Sequence, residues 1–261
     1  MIETITIIGG RSRTGGPEAV ERIELEMGDV VSIVGPTGSG KTTLINDVEL
    51  FADDNTPSGR RVLINGERPL DEYRVDPAHH PIALITQHTT FLSDLPVAEF
   101  LATHARIRSE SLPQVDAMIE RTLVFANQLT GEPVPLDARM TELSGGQARA
   151  LLIADATIIC DTPIVLLDEV ENAGIHRSRA LELLREHRKI FIFVTHDPRI
   201  ALLSDYRIVM KGGAVTHVLR TNAEEHELCT RVGQLDDLLS RLREKIRLGE
   251  RLTAREAEVL A

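Results

Sequence analysis

Tryptophan is absent from this sequence of 261 residues, and aromatic residues make up only 3% of it. Proteins that bind single-stranded nucleic acids stack the bases on aromatic side chains, and this chain offers few such platforms. Its net charge is −11, and no stretch of it concentrates lysine and arginine, so attraction to duplex phosphates has no obvious source. We therefore expect no nucleic-acid partner.

Cysteines and long apolar runs are also scarce. The two cysteines, Cys160 and Cys229, do not have the spacing of a metal-binding motif, and two cysteines in a chain of this size form no disulfide framework. No stretch approaches the ~20 apolar residues of a membrane-spanning helix, and the first residues contain no apolar signal region. We expect a cytoplasmic protein that reaches the inner face of a membrane only through a partner.

The remaining pattern predicts a large α/β domain. Hydrophobic residues make up 42% of the chain, enough for a domain with a subdomain. Alternating segments at 2–8 and 23–26 predict N-terminal antiparallel strands, and buried strands separated by helices predict a parallel-rich sheet in a P-loop NTPase core. Helical spacing of apolar residues predicts a helical insert at about 89–160, followed by a return to strands.

The segment from Val30 to Thr43 predicts a phosphate-binding loop. A buried strand ends at its first glycine, and a helix-like apolar segment follows it, which argues against a chance match. The pattern is G-x-x-x-x-G-K-[ST], whose glycines let backbone amides turn towards a phosphate at a helix N-terminus. Lys41 would reach the β- and γ-phosphates, and Thr42 would bind Mg²⁺. The predicted nucleotide-binding residues are Gly35, Pro36, Thr37, Gly38, Ser39, Gly40, Lys41, Thr42 and Thr43.

Polar residues follow three further predicted strands. Asp168 and Glu169 follow the strand at 163–167, while His196 and Gln87 end two others. Such strand ends meet beside the P-loop in a parallel sheet. Asp168 would then bind the metal, and Glu169 would orient or deprotonate the attacking water. His196 would contact the γ-phosphate and Gln87 would sense the metal or the water, although either residue alone is more often an ordinary loop residue.

A second predicted anion site lies in the helical insert. Residues 143–147 read Leu-Ser-Gly-Gly-Gln and precede an apolar helix, so they form another helix N-terminus suited to an anion. One chain with one P-loop has no obvious use for a second phosphate cradle. Two chains arranged head to tail do, because each P-loop then faces the other chain's serine-glycine loop. The additional nucleotide-binding residues predicted here are Ser144, Gly145, Gly146 and Gln147.

With these motifs in this order, the sequence resembles a divergent ATP-binding cassette (ABC) ATPase over about residues 1–220. The matches are Walker A at 35–43, the Q-loop glutamine, the LSGGQ signature at 143–147, Walker B at 164–168, and the catalytic glutamate and switch histidine. The resemblance implies that two copies, or one copy and a related cassette, hold ATP and Mg²⁺ between them. It also implies that Ser144 and Gly146 reach the partner's γ-phosphate, and that Glu169 is the general base. Lys41, His196 and Gln87 complete the implied catalytic site.

The sequence departs from the family pattern at three places. No aromatic residue between Gly9 and Pro17 is available to stack on adenine, which leaves Arg11 or Arg13 for that contact. Ile175 replaces the aspartate that the family carries after Walker B. Asp155 stands where such chains commonly carry arginine. These departures do not change the expectation that the chain binds ATP. They do argue against its being a subunit of an ordinary transporter.

Two functions therefore stay open at this stage. The first is the ATP-binding subunit of a membrane transporter, which requires a separate membrane permease. The second is a soluble, non-transport ABC ATPase that acts on a protein assembly, a repair step or cofactor insertion. A third, a nucleotide-regulated binding module with slow hydrolysis, is disfavoured because the catalytic residues are all present.

Two apolar segments have open assignments. We divide the chain into a cassette at 1–221 and a charged tail at 222–261, in which five apolar residues share a helical face: Leu235, Leu238, Leu239, Leu242 and Ile246. That face either packs on the chain's own core or pairs with another subunit.

At the end of the tail, residues 253–256 have the spacing of a helix-capping box, which predicts a last short helix. Phe91, Leu92 and Leu95 form either a docking surface or a cap on the insert's own core.

Overall fold

The structure is a computed structural model, and it describes residues 1–76, 79–86, 88–108, 112–130, 132–168 and 177–253. The strands in these ranges are β1 (Thr4–Ile8), β2 (Arg22–Glu26), β3 (Val30–Val34), β4 (Arg61–Ile64), β5 (Ile82–Ile85), β6 (Ile164–Asp168), β7 (Ile190–Val194), β8 (Tyr206–Lys211) and β9 (Ala214–Arg220). The α-helices are α1 (Lys41–Glu49), α2 (Glu72–Val75), α3 (Val97–Arg108), α4 (Leu112–Leu129), α5 (Gly145–Ala154), α6 (Arg177–Glu186), α7 (Pro198–Leu203) and α8 (Ala223–Arg247).

A six-stranded sheet forms the centre of the fold, in the spatial order β5-β6-β7-β3-β8-β9. The first five of these strands are parallel, and β9 pairs antiparallel with β8. The strands β6 and β7 are buried on both faces, which explains their continuous apolar sequences. The parallel-rich core predicted from the sequence is confirmed.

The N-terminal strands form a separate antiparallel sheet in the order β2-β1-β4. In β2, Ile23 and Leu25 are buried while the charged residues Arg22, Glu24 and Glu26 are exposed, as the alternating sequence predicts. This sheet packs with α1 on one face of the central sheet, in a core that includes Ile33, Leu166 and Ile192.

The other face of the central sheet carries the helical insert. Its core joins Phe191 and Phe193 of β7 to the helices α3, α4 and α5. The presence of a helical insert agrees with the sequence prediction, with one correction to its helices. The helix after residue 144, expected to run as one helix to Ile159, changes at Asp155–Ile159 to a π-helical turn with a Cys160 N–H bond to the Asp155 carbonyl.

The tail forms α8, which packs on α7. Leu238 is buried, but Leu235, Leu239 and Ile246 are 43–61% exposed. Of the two alternatives for this face, packing on the chain's own core therefore does not hold for these three residues. α8 contacts α7 with a different face. There, Asp237 of α8 lies 3.6 Å from Arg199 of α7. The capping box predicted at 253–256 lies mostly outside the described residues.

Within the described part of the chain, no helix is long and apolar enough to cross a membrane.

Candidate nucleotide-binding site

The P-loop joins the end of β3 to the start of α1 and has the conformation that its glycines predict. Gly35 and Gly40 have φ values of 150° and 102°. A Cβ on Gly35 would lie 2.3 Å from the carbonyl oxygen of Met210, and one on Gly40 would lie 2.9 Å from Cα of Gly213. Only glycine fits both positions, because a side chain would meet rigid backbone of β8 and of the turn after it.

Lys41 lies folded across this loop. It is only 7% exposed, and its Nζ donates to the carbonyl oxygens of Gly35 at 2.9 Å and Pro36 at 3.3 Å. The Ser39 hydroxyl is also buried, and it makes no hydrogen bond to any of the residues that the structure describes. A buried donor without an acceptor is destabilising. The loop therefore places an ammonium and an unsatisfied hydroxyl where an oxyanion would satisfy both.

A cavity of about 390 Å³ lies against the P-loop. Its walls come from the carboxyl ends of β5, β6 and β7, which the parallel register brings to one edge of the sheet. The residues that line it are Arg13, Thr37, Gly38, Ser39, Gly40, Lys41, Thr42, Thr43, Thr86, His88, Asp168, Val194 and His196. The structure thus brings together nine of the predicted site residues, seven from the P-loop segment at 37–43 together with Asp168 and His196, whereas Gly35 and Pro36 do not line the cavity.

Two predicted site residues, Gln87 and Glu169, lie outside the described residues, as does Ile175. Their chain neighbours Thr86, His88 and Asp168 all line the cavity.

The predicted signature residues do not line this cavity. Ser144 caps α5: its Oγ accepts from the Gln147 amide at 3.2 Å, and its own N–H donates to Gln147 Oε1 at 3.0 Å. Ser144 and Gly145 are exposed, so the N-terminus of α5 faces solvent. One chain therefore holds two separate helix N-termini suited to anions, at the P-loop and at residues 144–147.

Of the two arginines proposed for the base, only Arg13 lines the cavity. Its N–H donates to the carbonyl oxygen of Gly212 at 3.0 Å. Arg11 instead forms an exposed ion pair with Asp54 at 2.9 Å. The structure favours Arg13 as the residue next to a bound base.

Sequence reasoning missed the ion cluster behind the P-loop. Arg60 is fully buried, and its guanidinium contacts Glu18 at 2.5 Å and Asp47 of α1 at 2.8 Å. Burial lowers the pKa of Arg60, but the hydrogen bonds and charges of these two carboxylates outweigh burial and raise that pKa. The only signal in the sequence was Asp47, a charge between apolar residues of the predicted helix.

Comparison with known proteins agrees with this arrangement. The family model described as "ABC transporter" matches residues 21–172. An uncharacterised ABC transporter ATP-binding protein of Methanocaldococcus jannaschii is 46% identical, over 99% of this chain and 98% of the relative. The chain belongs to the ABC transporter family. It is an ATP-binding subunit of the cassette type that hydrolyses ATP.

Other relatives of the cassette extend the comparison. A sulfate/thiosulfate import ATP-binding protein of Gloeobacter violaceus is 32% identical over 76% of this chain, and the chain spans only 56% of that relative. Among solved structures, a dimeric ATP-binding cassette bound to ADP and phosphate matches 84% of this chain and 99% of its own, with a TM-score of 0.62 and 23% identity. CbiO1 of Clostridium perfringens matches 92% of this chain and all of its own, with a TM-score of 0.65 and 19% identity. These structures establish the fold of the cassette.

Proposed function

We propose that two copies of this cassette bind MgATP head to tail and that hydrolysis drives a membrane permease. Each nucleotide is held by the P-loop of one copy and closed by residues 144–147 of the other. The observation that supports this is the separation of the two anion sites. The P-loop lines a cavity with Asp168 and His196, whereas the N-terminus of α5 lies apart from that cavity and faces solvent.

In this proposal the phosphate groups displace the loop carbonyls from Lys41. Its ammonium then compensates the charge of the β- and γ-phosphates, and the Ser39 hydroxyl gains an acceptor. Thr42 and Asp168 line the same cavity with oxygen ligands of the kind that Mg²⁺ prefers. A bound Mg²⁺ would stabilise the negative charge that develops on the transferred phosphoryl group.

The hydrolytic step is assigned to residues at the strand ends. Glu169, which directly follows Asp168 at the end of β6, accepts a proton from the attacking water. His196 would contact the γ-phosphate, and Gln87 would be the residue that links a bound metal to the surface of the insert. The cassette at 1–221 contains all of these residues, and we assign the tail at 222–261 no role in the chemistry.

The relatives named as import ATP-binding proteins support a permease as the partner, with the cassette at the inner face of the membrane. The alternative of a non-transport ATPase finds no support in these comparisons. We place the permease contact next to the Q-loop. Leu92 is fully exposed there and Leu95 is 36% exposed, whereas Phe91 packs edge-on against Phe100 at 5.1 Å. The docking surface is therefore Leu92 and Leu95, and Phe91 caps the insert's core.

The head-to-tail dimer is tested with a variant that binds ATP but does not hydrolyse it. Glu169→Gln removes the proton acceptor, so this variant accumulates as a dimer in MgATP on size-exclusion chromatography. Adding Ser144→Arg places a bulky cation at the closing surface, and the dimer is lost while monomer nucleotide binding, measured by fluorescent-ATP titration, is retained.

The matched control is Thr103→Arg, which makes the same kind of change at an exposed position of α3 in the same insert. This control keeps the dimer. A dimer that persists with Ser144→Arg would contradict the closure by residues 144–147, and unimpaired hydrolysis by Glu169→Gln would remove Glu169 from the role of base.

A further inference from the structure

Three metal-binding side chains meet in the helical insert, apart from the nucleotide cavity. His104 comes from α3, while Asp155 and Cys160 come from either end of the π-helical turn after α5. One ligand atom from each residue lies within 4.8 Å of the other two. More than 50 residues separate His104 from the other two in the sequence, so only the tertiary fold assembles this His-Asp-Cys cluster.

The π-helical turn is what places Asp155 and Cys160 on the same side. In an α-helix with about 3.6 residues per turn, residues five apart point about 140° away from each other. Here the Cys160 N–H donates to the Asp155 carbonyl at 2.9 Å, the i to i+5 bond of a π-helix. This bond brings the side chains of Asp155 and Cys160 to the same side of the turn. Such turns are rare and occur frequently at functional sites.

The contacts within the cluster resemble those of metal-binding residues. Cys160 Sγ lies 3.9 Å from His104 Nε2 and 3.7 Å from Asp155 Oδ2. Ligand atoms around a tetrahedral zinc lie about 3.3–3.8 Å apart, given bonds of about 2.0–2.3 Å. The other ring nitrogen, His104 Nδ1, hydrogen-bonds to Asp155 Oδ1 at 2.8 Å. A metal held by both residues would take the place of the hydrogen in this bond, between Nδ1 and the carboxylate.

Burial makes the cluster a defined site with an entrance. The Asp155 side chain is 10% exposed, whereas His104 is 26% exposed and Cys160 is half-buried. The hydrogen bond to Asp155, together with that to Cys160, raises the pKa of His104 to about 10. A plain histidine–aspartate ion pair would explain these two residues, but not the thiol beside them.

We propose that His104, Asp155 and Cys160 form a binding site for a divalent transition metal of the zinc class. A thiolate, an imidazole and a carboxylate together suit Zn²⁺ rather than Mg²⁺, which prefers oxygen ligands alone. Three protein ligands leave a fourth position for water or an exogenous ligand. The metal would join α3 to the end of the signature helix α5.

The site would also connect two surfaces of the cassette. The His104 ring lies 5.8 Å from the Phe100 ring, which packs on Phe91 beside the docking surface. At its other side, Asp155 directly follows α5, whose N-terminus carries the signature residues. A bound metal would therefore restrain the insert between the permease contact and the closing surface of the dimer.

The test uses the full-length protein without nucleotide, after treatment with a chelator, and Co²⁺ as a spectroscopic probe. Wild type should bind one equivalent of Co²⁺ and show the thiolate-to-cobalt charge-transfer band. Zn²⁺ should displace the cobalt and abolish the band. Cys160→Ser should lose the band, and His104→Gln should weaken Zn²⁺ binding at least tenfold in competition with a chromogenic zinc chelator.

Cys229→Ser is the matched control, because Cys229 is the other cysteine and lies in α8 against α7. This variant should keep the band and the wild-type affinity. Thermal unfolding without metal checks that Cys160→Ser is folded, and added Zn²⁺ should raise the midpoint of wild type but not of this variant. Absence of the band from wild type, or equal loss of it in both cysteine variants, would overturn the proposal.

Discussion

The backbone N–H of Gly213 donates to the carbonyl oxygen of Ser39 at 2.8 Å, joining the β8–β9 turn to the P-loop. The Gly213 carbonyl accepts from Arg60 at 2.9 Å, and its Cα lies against Gly40. One glycine of a surface turn thus connects the nucleotide loop to the buried ion cluster. The position of the P-loop depends on this turn as well as on β3 and α1.

Gly213→Ala should therefore impair nucleotide binding more than Gly212→Ala does. Both residues have positive φ, so each substitution costs roughly 1–2 kcal/mol in backbone strain. A Cβ on Gly212 meets open space, whereas one on Gly213 would lie 2.8 Å from Arg13 Cγ and 3.2 Å from the Arg13 backbone nitrogen. Fluorescent-ATP titration and thermal unfolding of both variants separate binding from stability, and equal ATP affinities would show that the turn does not position the site.

Removal of Arg60 should destabilise the fold strongly. Arg60→Met would leave Glu18 and Asp47 buried without their cation, and breaking a buried pair in this way costs about 3–5 kcal/mol. Arg11→Met is the control, because its ion pair with Asp54 is exposed and worth at most about 1 kcal/mol. The free energy of unfolding is measured by urea denaturation. Equal losses in the two variants would mean that the buried cluster adds no more than a surface pair.

Base selectivity should be weak and should depend on Arg13. A guanidinium stacked on a base contributes about 0.5–2 kcal/mol. Arg13→Ala should accordingly raise the Kd for ATP by about 2- to 30-fold, whereas Arg11→Ala should leave it unchanged. Binding of ATP, GTP and inorganic triphosphate is compared by calorimetry for all three proteins. A strong preference for ATP that survives Arg13→Ala would reveal another adenine contact.

A substitution in the docking surface should weaken the association with a permease without changing the rate of ATP hydrolysis. Leu92→Ser removes a fully exposed apolar side chain and should leave basal ATP hydrolysis unchanged, while it weakens association with a multi-span permease. Association is measured by co-purification from native membranes, with each protein also carrying Glu169→Gln. Leu70→Ser, at a 57% exposed leucine outside the insert, is the control. Equal recovery of the permease with both variants would place the contact elsewhere.

Deletion of residues 222–261 should leave nucleotide binding within a few-fold of wild type, because the cavity residues all precede 197. The deletion removes Leu238 and the contacts of Asp236 and Asp237 with Arg199, so the thermal midpoint should fall. Soluble expression, thermal unfolding and ATP titration check both expectations. Failure of the shortened chain to fold would show that the tail belongs to the cassette core.

The sequence by itself determined the fold class and the backbone conformation of the P-loop. A glycine-rich loop between a buried strand and a helix restricts the backbone locally, so its pattern can be recognised without the rest of the chain. Strand ends carrying Asp168 and His196 could also be predicted to meet, because parallel pairing brings carboxyl ends to one edge. The boundaries of most elements followed from apolar periodicity.

Only the tertiary structure decided which distant residues meet. Arg60 stands in a segment that reads as loop, and nothing near it in the sequence indicates burial between Glu18 and Asp47. The π-helical turn brings Asp155 and Cys160 to the same side of the chain. It depends on how the helices of the insert pack, and local sequence propensity does not specify that packing. The choice of Arg13 over Arg11 and the exposure of the α8 leucines likewise depend on which neighbouring surfaces the folded chain supplies, since burial and pairing are properties of contacts between segments.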